Sequence, residues 1–338
     1  MSRHDNGRPP SITSVAELAG VSHQTVSRVI NGFEGVRPAT KERVLDAIST
    51  LGYRRNNAAR TLVTQRSGLI GVIAVGSFLF GPTSTLAAIE EASREHGYMT
   101  LLSTIPGGAD ADLSSAVEAC LARDVEALII IASRETLVRL SASLSPGVPV
   151  VVVGPRPQGV ESLRTLSVDQ ELGARLAVRH LVDQGHRGIT LLTGPLDWVD
   201  AQDRLRGALA ECDERGVQSR VVEGDWSARR GYEVALGLAT DELPTAIFSA
   251  NDQMALGLLA AFHSRGVRVP EDVSVVGFDD VAGTDYYSPP LTTVRQDFAS
   301  LGRRVLAATL ALVEGQEPDL ALVPPTLVVR GSVATPAR

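Results

Sequence analysis

Aromatic residues make up only 4% of this 338-residue chain, which has two cysteines and a single lysine, Lys41. Cys120 and Cys212 have no partner spacing, so they point to neither a disulfide framework nor a metal cluster, and they fit a reducing compartment. No apolar run approaches the roughly 18 residues of a membrane span. The N-terminus carries Pro9-Pro10 where a signal peptide would be apolar. A cytoplasmic protein without membrane contact is expected. Catalytic signatures are missing as well: there is no G-x-x-x-x-G-K-[ST] phosphate cradle, no G-x-S-x-G elbow and no H-E-x-x-H pair among the six histidines. His180 and His186 read as structural. The expectation is a non-enzyme with no cofactor and no metal. A glycosidase-type pair drawn from Asp197, Asp200 and Asp279 is the one enzymatic alternative, and nothing marks any of them as the acid.

The charge is uneven. The chain carries −7 overall. Residues 1–66 hold ten basic and five acidic side chains, a net of +5, which leaves −12 for the remainder. A basic head on an acidic body confines phosphate attraction to one end. The near absence of lysine reflects GC-rich coding, so the arginine excess alone says little.

That head contains the most informative stretch. Residues 12–31 read as two short helices joined at Gly20, where a turn needs φ > 0. Ala16 is small where the helices cross. Val26, Val29 and Ile30 make an apolar face that can pack onto Val15 and Leu18. Ser22 suits the N-cap of the second helix. His23, Gln24, Ser27 and Arg28 then point outward, with the imidazole, amide and guanidinium types that read base edges. This is the arrangement that lays a helix in the major groove; the alternative is an ordinary packed helical hairpin. Pro38 opens a third helix to Leu51 with a stripe of Val44, Leu45, Ile48 and Leu51, and Gly52 ends it.

Residues 54–63 form a connector too polar and too short to be a stable helix alone. It reads either as a linker helix or as a hinge that orders on DNA and presents Leu62 as a minor-groove wedge; its composition does not decide.

From Gly68 onward, Val/Ile-rich runs alternate with amphipathic helices. Strands are expected at 69–75, 99–103, 127–131, 150–153, 189–192, 221–223, 246–249 and 273–276, with helices at 83–96, 113–122, 169–184, 201–215, 228–239, 253–264 and 298–314. Eight or more such units fit two doubly wound parallel lobes. Ligands bind at strand C-termini in such sheets. Here those ends hold Asp197, Asp200, Arg204, Asn251, Asp279 and Gln296, which can hydrogen-bond hydroxyls, and Phe80, Trp198, Trp226 and Phe298, whose faces suit the C–H side of a pyranose. Asp169 and Asp252 read as helix caps only. The set describes a cleft for a neutral, hydroxyl-rich ligand.

With these residues in place the chain resembles the lactose repressor/galactose repressor family of bacterial transcription regulators. The resemblance runs through residues 15–31, Ser-Val-Asp (167–169), Gly-His-Arg (185–187), Gly-Pro-Leu (194–196), Gly-Asp-Trp-Ser-Ala (224–228), residues 250–257, 274–280 and 289–298. It implies a periplasmic-binding-protein-like core with chain crossovers, and a homodimer on a pseudo-palindromic operator. The expected division is 1–66 for DNA binding, with a hinge helix at about 56–64, and 67–338 for the effector core. Within the core, one lobe takes about 68–166 and 297–326, the other about 167–296 and 327–333. Ser22, His23, Gln24, Thr25, Ser27, Arg28 and Asn31, with Asn56 and Leu62 from the hinge, form the implied DNA-contacting set; Leu62 matches the wedge. Phe80, Pro82, Asp197, Asp200, Arg204, Trp226, Asn251, Asp279, Gln296 and Phe298 form the implied effector set. The Gly-Asp-Trp and Gln-Asp-Phe pieces imply a repressor of carbohydrate-utilisation genes, released by a galactoside- or glucoside-type mono- or disaccharide.

Departures are equally specific. Gly154 stands in place of an acidic contact, Asp197 and Asp200 in place of serines, and Arg37 in place of a small polar cap. The chain stops without a leucine-heptad tail, which favours a dimer. The remaining alternatives are an activator or corepressor-dependent regulator on this fold, a sugar enzyme, and a transport-type binding protein.

Overall fold

Capping decides where the first helices begin. Ser11 accepts a hydrogen bond from Ser14 N at 3.2 Å and opens α1 (Ile12–Ala19); Ser22 accepts one from Thr25 N at 3.2 Å and opens α2 (His23–Ile30). Gly20 adopts φ 64° between them. α3 (Pro38–Leu51) starts on its proline with no side-chain cap from Arg37. In this computed structural model residues 10–30, 32–53, 66–75, 79–105, 110–156, 159–160, 163–239 and 243–336 are described. The chain divides into two units, Met1–Ser67 and Gly68–Arg338.

The first unit is held by a small core of Val15, Ala16, Ala19, Val26, Val29, Val44 and Ala47. Two residues read as core are not: Leu18 is 54% and Leu45 49% exposed. A three-helix unit has too few neighbours to cover a full apolar stripe, and small Ala19 and Ala47 fill the contact instead.

The second unit contains two sheets. The first comprises β1 (Leu69–Val75), β2 (Met99–Ile105), β3 (Ala127–Ala132), β4 (Val150–Val153) and β5 (Thr165–Leu166), all parallel in the order β2-β1-β3-β4-β5. Alternate residues serve opposite faces. Ile70 and Ile129 meet α4 (Phe80–Glu95), while Ile73 and Ile130 meet α5 (Asp110–Leu121) and α6 (Glu135–Ser141). The second sheet holds β6 (Gly188–Thr193), β7 (Gln218–Glu223), β8 (Ala246–Ser249), β9 (Ser274–Asp279), β10 (Thr292–Arg295) and β11 (Thr326–Val328), ordered β11-β10-β9-β8-β6-β7. One face carries α7 (Gln170–Asp183) and α8 (Val199–Glu214); the other carries α9 (Ala228–Gly237) and α10 (Asp252–Ser264). α9 and α10 touch at Gly257, where a Cβ would lie 1.8 Å from Ala228 O.

The chain passes between the sheets three times: after β5, after β10, and after α11 (Phe298–Val313), which packs on the first sheet beside α4. β11, the last, pairs antiparallel with β10. β5, β10, β11 and α6 were not among the expected elements. β9 runs three residues further than expected, so Phe278 and Asp279 belong to a strand, and α4 begins at Phe80 rather than at Thr83.

Candidate functional site

In the first unit, α2 presents His23, Gln24 and Arg28 as exposed side chains, with Thr25 and Ser27 half-buried. The Ser22 hydroxyl is engaged as the cap and lies 3.0 Å from Thr25 Oγ1. Asn31, Asn56 and Leu62, and with them the expected hinge helix at 56–64, lie outside the described residues.

In the second unit a cleft opens between the C-terminal ends of the two sheets. Its two adjoining parts share Gly81, Pro82, Asp200 and Arg204. The first-sheet wall is mostly apolar, with Pro82, Ile131, Val153, Phe298 and Leu301. Phe80 packs edge-on to Phe298, with ring centroids 5.7 Å apart. The polar groups stand on the other wall, where four buried side chains close a ring. Arg204 Nε donates to Gln170 Oε1 (2.8 Å), Gln170 Nε2 to Gln296 Oε1 (2.9 Å), and Gln296 Nε2 to Asp279 Oδ1 (2.7 Å). Asp279 Oδ1 lies 3.5 Å from Arg204 Nη1, which also donates to Ala250 O. The guanidinium sits 3.8 Å from the Phe278 ring centroid and 5.5 Å from that of Trp226. Arg204 is therefore built into the wall through Nε and Nη1, and these bonds leave its Nη2 donors uncommitted.

Strain concentrates at this wall. Trp226 (φ 72°), Asp279 (φ 114°) and Asp280 (φ 54°) occupy the left-handed half of the map, at about 1–3 kcal/mol each. Behind Asp279 lies Asp252, fully buried, whose Oδ1 accepts from Thr293 Oγ1 (2.6 Å) and Oδ2 from Val281 N (2.9 Å). Burial, reinforced by the Asp279 charge, pushes its carboxyl up to about 8. Asp252 is thus a strut under the 279–281 turn and not a helix cap. Asn251 is the cap, accepting from Met254 N (2.9 Å) while its Nδ2 donates to Trp226 O (3.0 Å). Asp169 does cap its helix, through Leu172 N at 2.9 Å. His186 bridges Thr245 Oγ1 (3.0 Å) and Ala334 O (3.1 Å).

The other expected residues divide. Asp200 lines both parts of the cleft, half-buried, and no described residue donates a hydrogen bond to it. Burial pushes it up to about 6 against the pull of Arg204, and burial likewise raises Asp279 to about 6. Trp198 and Trp226 stack edge-on at 5.8 Å and are 7% and 6% exposed, so they line the cleft by their edges and not as open faces. Gly194 permits this, since a Cβ there would meet the Trp226 ring at 2.1 Å. The Trp226 indole N–H is buried without an acceptor among the described residues. Asp197 stays outside: its side chain is 59% exposed and pairs with Arg134 at 3.5 Å. Around it, Val199 N donates to Ser133 O (2.9 Å) and Glu135 N to Asp197 O (3.2 Å), tying the two lobes together. Gln170 was missed. The only sequence signal was its place next to the cap Asp169 at the mouth of the expected cleft.

Among the described residues no group of His, Cys, Asp and Glu could hold a metal, and no helix is long and apolar enough to cross a membrane. A DNA-reading hairpin in one unit and a two-lobed ligand-binding core in the other define a ligand-responsive transcription regulator. Residues 11–56 match bacterial regulatory proteins of the lacI family, and residues 178–333 the periplasmic-binding-protein-like domain. The chain is 36% identical to the lactose operon repressor of Escherichia coli (strain K12), over 97% of this chain and 92% of that one. A crystal structure of the lac repressor dimer bound to operator and the anti-inducer ONPF superposes with a TM-score of 0.86 at 36% identity, covering 97% of this chain and 100% of that one. A complex of the transcriptional regulator CelR with cellobiose gives 0.68 at 31% identity, covering 96% and 99%. The chain belongs to the lacI family of bacterial transcription regulators, whose named relatives here are repressors and not enzymes.

Proposed function

We propose that the protein is a cytoplasmic repressor of carbohydrate-utilisation genes. As a homodimer it holds a pseudo-palindromic operator and releases it when an uncharged sugar enters the cleft. His23, Gln24 and Arg28 read bases in this scheme, Ser22, Thr25, Ser27 and Asn31 support contact with DNA, and Asn56 and Leu62 act from a hinge at about 56–64. Residues 1–66 are the output and 67–338 the sensor.

One observation carries the choice of ligand. Among the described residues Arg204 is the one guanidinium lining the cleft and is engaged by Gln170, Ala250 and Asp279, while none donates a hydrogen bond to Asp200. An anionic ligand would meet net negative charge in a low-dielectric cleft, whereas hydroxyls find a free acceptor. The apolar opposite wall suits the C–H face of a sugar or an apolar substituent. The operator-bound lac repressor dimer and the cellobiose complex of CelR lend support by likeness.

The test is a thermal-shift screen of galactosides, glucosides and cellobiose against their phosphates and uronates, followed by a gel shift on the upstream region of the protein's own gene. Stabilisation by a neutral sugar that also releases DNA is expected. A sugar that strengthens DNA binding overturns induction, and turnover of a glycoside overturns the non-catalytic reading.

A further inference from the structure

The stop of α2 carries a residue that the base-reading scheme leaves unused. Gly32 N donates to Val29 O at 3.1 Å and Phe33 N donates to Arg28 O at 2.9 Å, with Gly32 at φ 72°. This paired helix stop folds the third residue past the helix end back over the residue five positions earlier. An apolar contact usually fills that place. Here the pair is Arg28 and Phe33, and the guanidinium carbon lies 5.5 Å from the ring centroid. Gly35 completes the seat, because a Cβ there would lie 2.7 Å from Phe33 Cε1.

The core of the unit explains neither side chain. Phe33 is 60% exposed, the most exposed large apolar residue described in the first unit, and Arg28 is exposed beside it. The sequence Gly32-Phe33-Glu34-Gly35 thus places an aromatic face on the same surface as the guanidinium and outside the apolar core formed by the described residues.

We propose that Phe33 is a positioning residue for base reading: its ring fixes the orientation of the Arg28 guanidinium before DNA arrives. The inference rests on Arg28 reading a base. An arginine stacked on a ring keeps its in-plane N–H donors free, and these match the paired acceptors O6 and N7 of guanine. Holding that plane in advance removes rotamer freedom that an unsupported arginine would lose on binding. A phosphate contact needs charge at a point and gains little from orientation, so the effect falls on discrimination between bases and not on overall attraction.

The test is selection of binding sites from random duplexes by the full chain and its variants, with affinities then measured on the enriched site and its single-base changes. Arg28→Ala is expected to lose preference at one base pair per half-site. Phe33→Ala and Phe33→Leu are expected to lose about 2–5-fold of the discrimination at that same pair, the scale of an exposed cation–π contact. Phe33→Tyr keeps the ring face and is expected to match the parent chain. Adding Phe33→Ala to Arg28→Ala should cost nothing further. Unchanged preference in Phe33→Ala, equal weakening on every sequence, or a Tyr variant no better than Ala overturns the proposal. Failure of the parent chain to enrich any sequence overturns the base-reading scheme itself. Thermal unfolding of each variant identifies any that fail to fold.

Discussion

Two carboxylates of the core differ in what their protons report. Asp200 faces the cleft with no hydrogen-bond donor among the described residues and is raised to about 6 by burial. If its ionised form accepts hydrogen bonds from sugar hydroxyls, effector affinity must fall as pH drops through about 6 and hold steady above it. Asp200→Asn should weaken neutral-sugar binding by about 1–2 kcal/mol, the scale of a hydrogen bond to a charged group, and reduce that pH dependence, with Asp279 still titrating over the same range. Titration calorimetry at several pH values measures both, and a variant with the parent's profile removes Asp200 from recognition. Asp252 reports on folding. Its carboxyl is raised from 3.8 to about 8, so the protonated form is favoured in the folded chain. Stability attached to that proton is complete below about 4 and is lost as pH rises toward 8. Asp200 and Asp279 contribute the same sign only up to about 6. Between about 6 and 8 Asp252 adds to the loss, while His180 and His186, lowered by burial, act in the opposite sense around 6.5, so Asp252→Asn should reduce the fall in denaturant midpoint toward pH 8.

Among the elements, the end of β6 and the turn before α9 depend on each other through a single missing methyl. Gly194 closes β6 against the Trp226 ring at a distance that no Cβ tolerates. Gly194→Ala forces the strained Trp226 (φ 72°) to move, at about 1–3 kcal/mol for overpacking. The expected result is a lower melting temperature and loss of the sugar response with operator binding retained. An unaltered sugar response would show that the position of Trp226 does not matter. Elements of this kind were unevenly legible in the sequence. α1 and α2 announced themselves through local chemistry, Ser22 as a cap and Gly20 as a turn. The buried parallel strands did so through Val/Ile runs. β5, β10 and β11 are two to four residues long, too short to show a Val/Ile run, and Thr165 of β5 with Thr292 and Thr293 of β10 are polar residues that are nonetheless buried. The site divided along the same line. Asn251 and Asp279 follow Val/Ile-rich strands that pattern alone locates, whereas Gln296 follows β10, which pattern did not show. Gln170 joins Gln296 across 126 residues of sequence, a contact that only the crossover creates. Asp252 was misread by one position, because Asn251 beside it is the better cap, with its side chain on Met254 N.

For the whole molecule, the claim that a sugar releases DNA is a claim about one coupling free energy. Ligand can change operator affinity only by favouring one lobe arrangement over another, and the hydrogen bonds from Val199 to Ser133 and from Glu135 to Asp197 belong to the arrangement described here. Thermodynamic linkage then fixes a reciprocal quantity: the factor by which sugar weakens operator binding equals the factor by which operator weakens sugar binding. A typical coupling of about 1–3 kcal/mol corresponds to about 5–150-fold. We expect sugar titrations of the free protein and of the protein saturated with operator to differ by the same factor that gel shifts give with and without saturating sugar. Arg28→Ala, which lies in the other unit, should reduce operator affinity and leave the sugar affinity of the free protein unchanged. Unequal factors would mean that a third component, such as a change in oligomeric state, is titrating alongside. A sugar affinity indifferent to bound operator would break the link between the cleft and the DNA-reading helix.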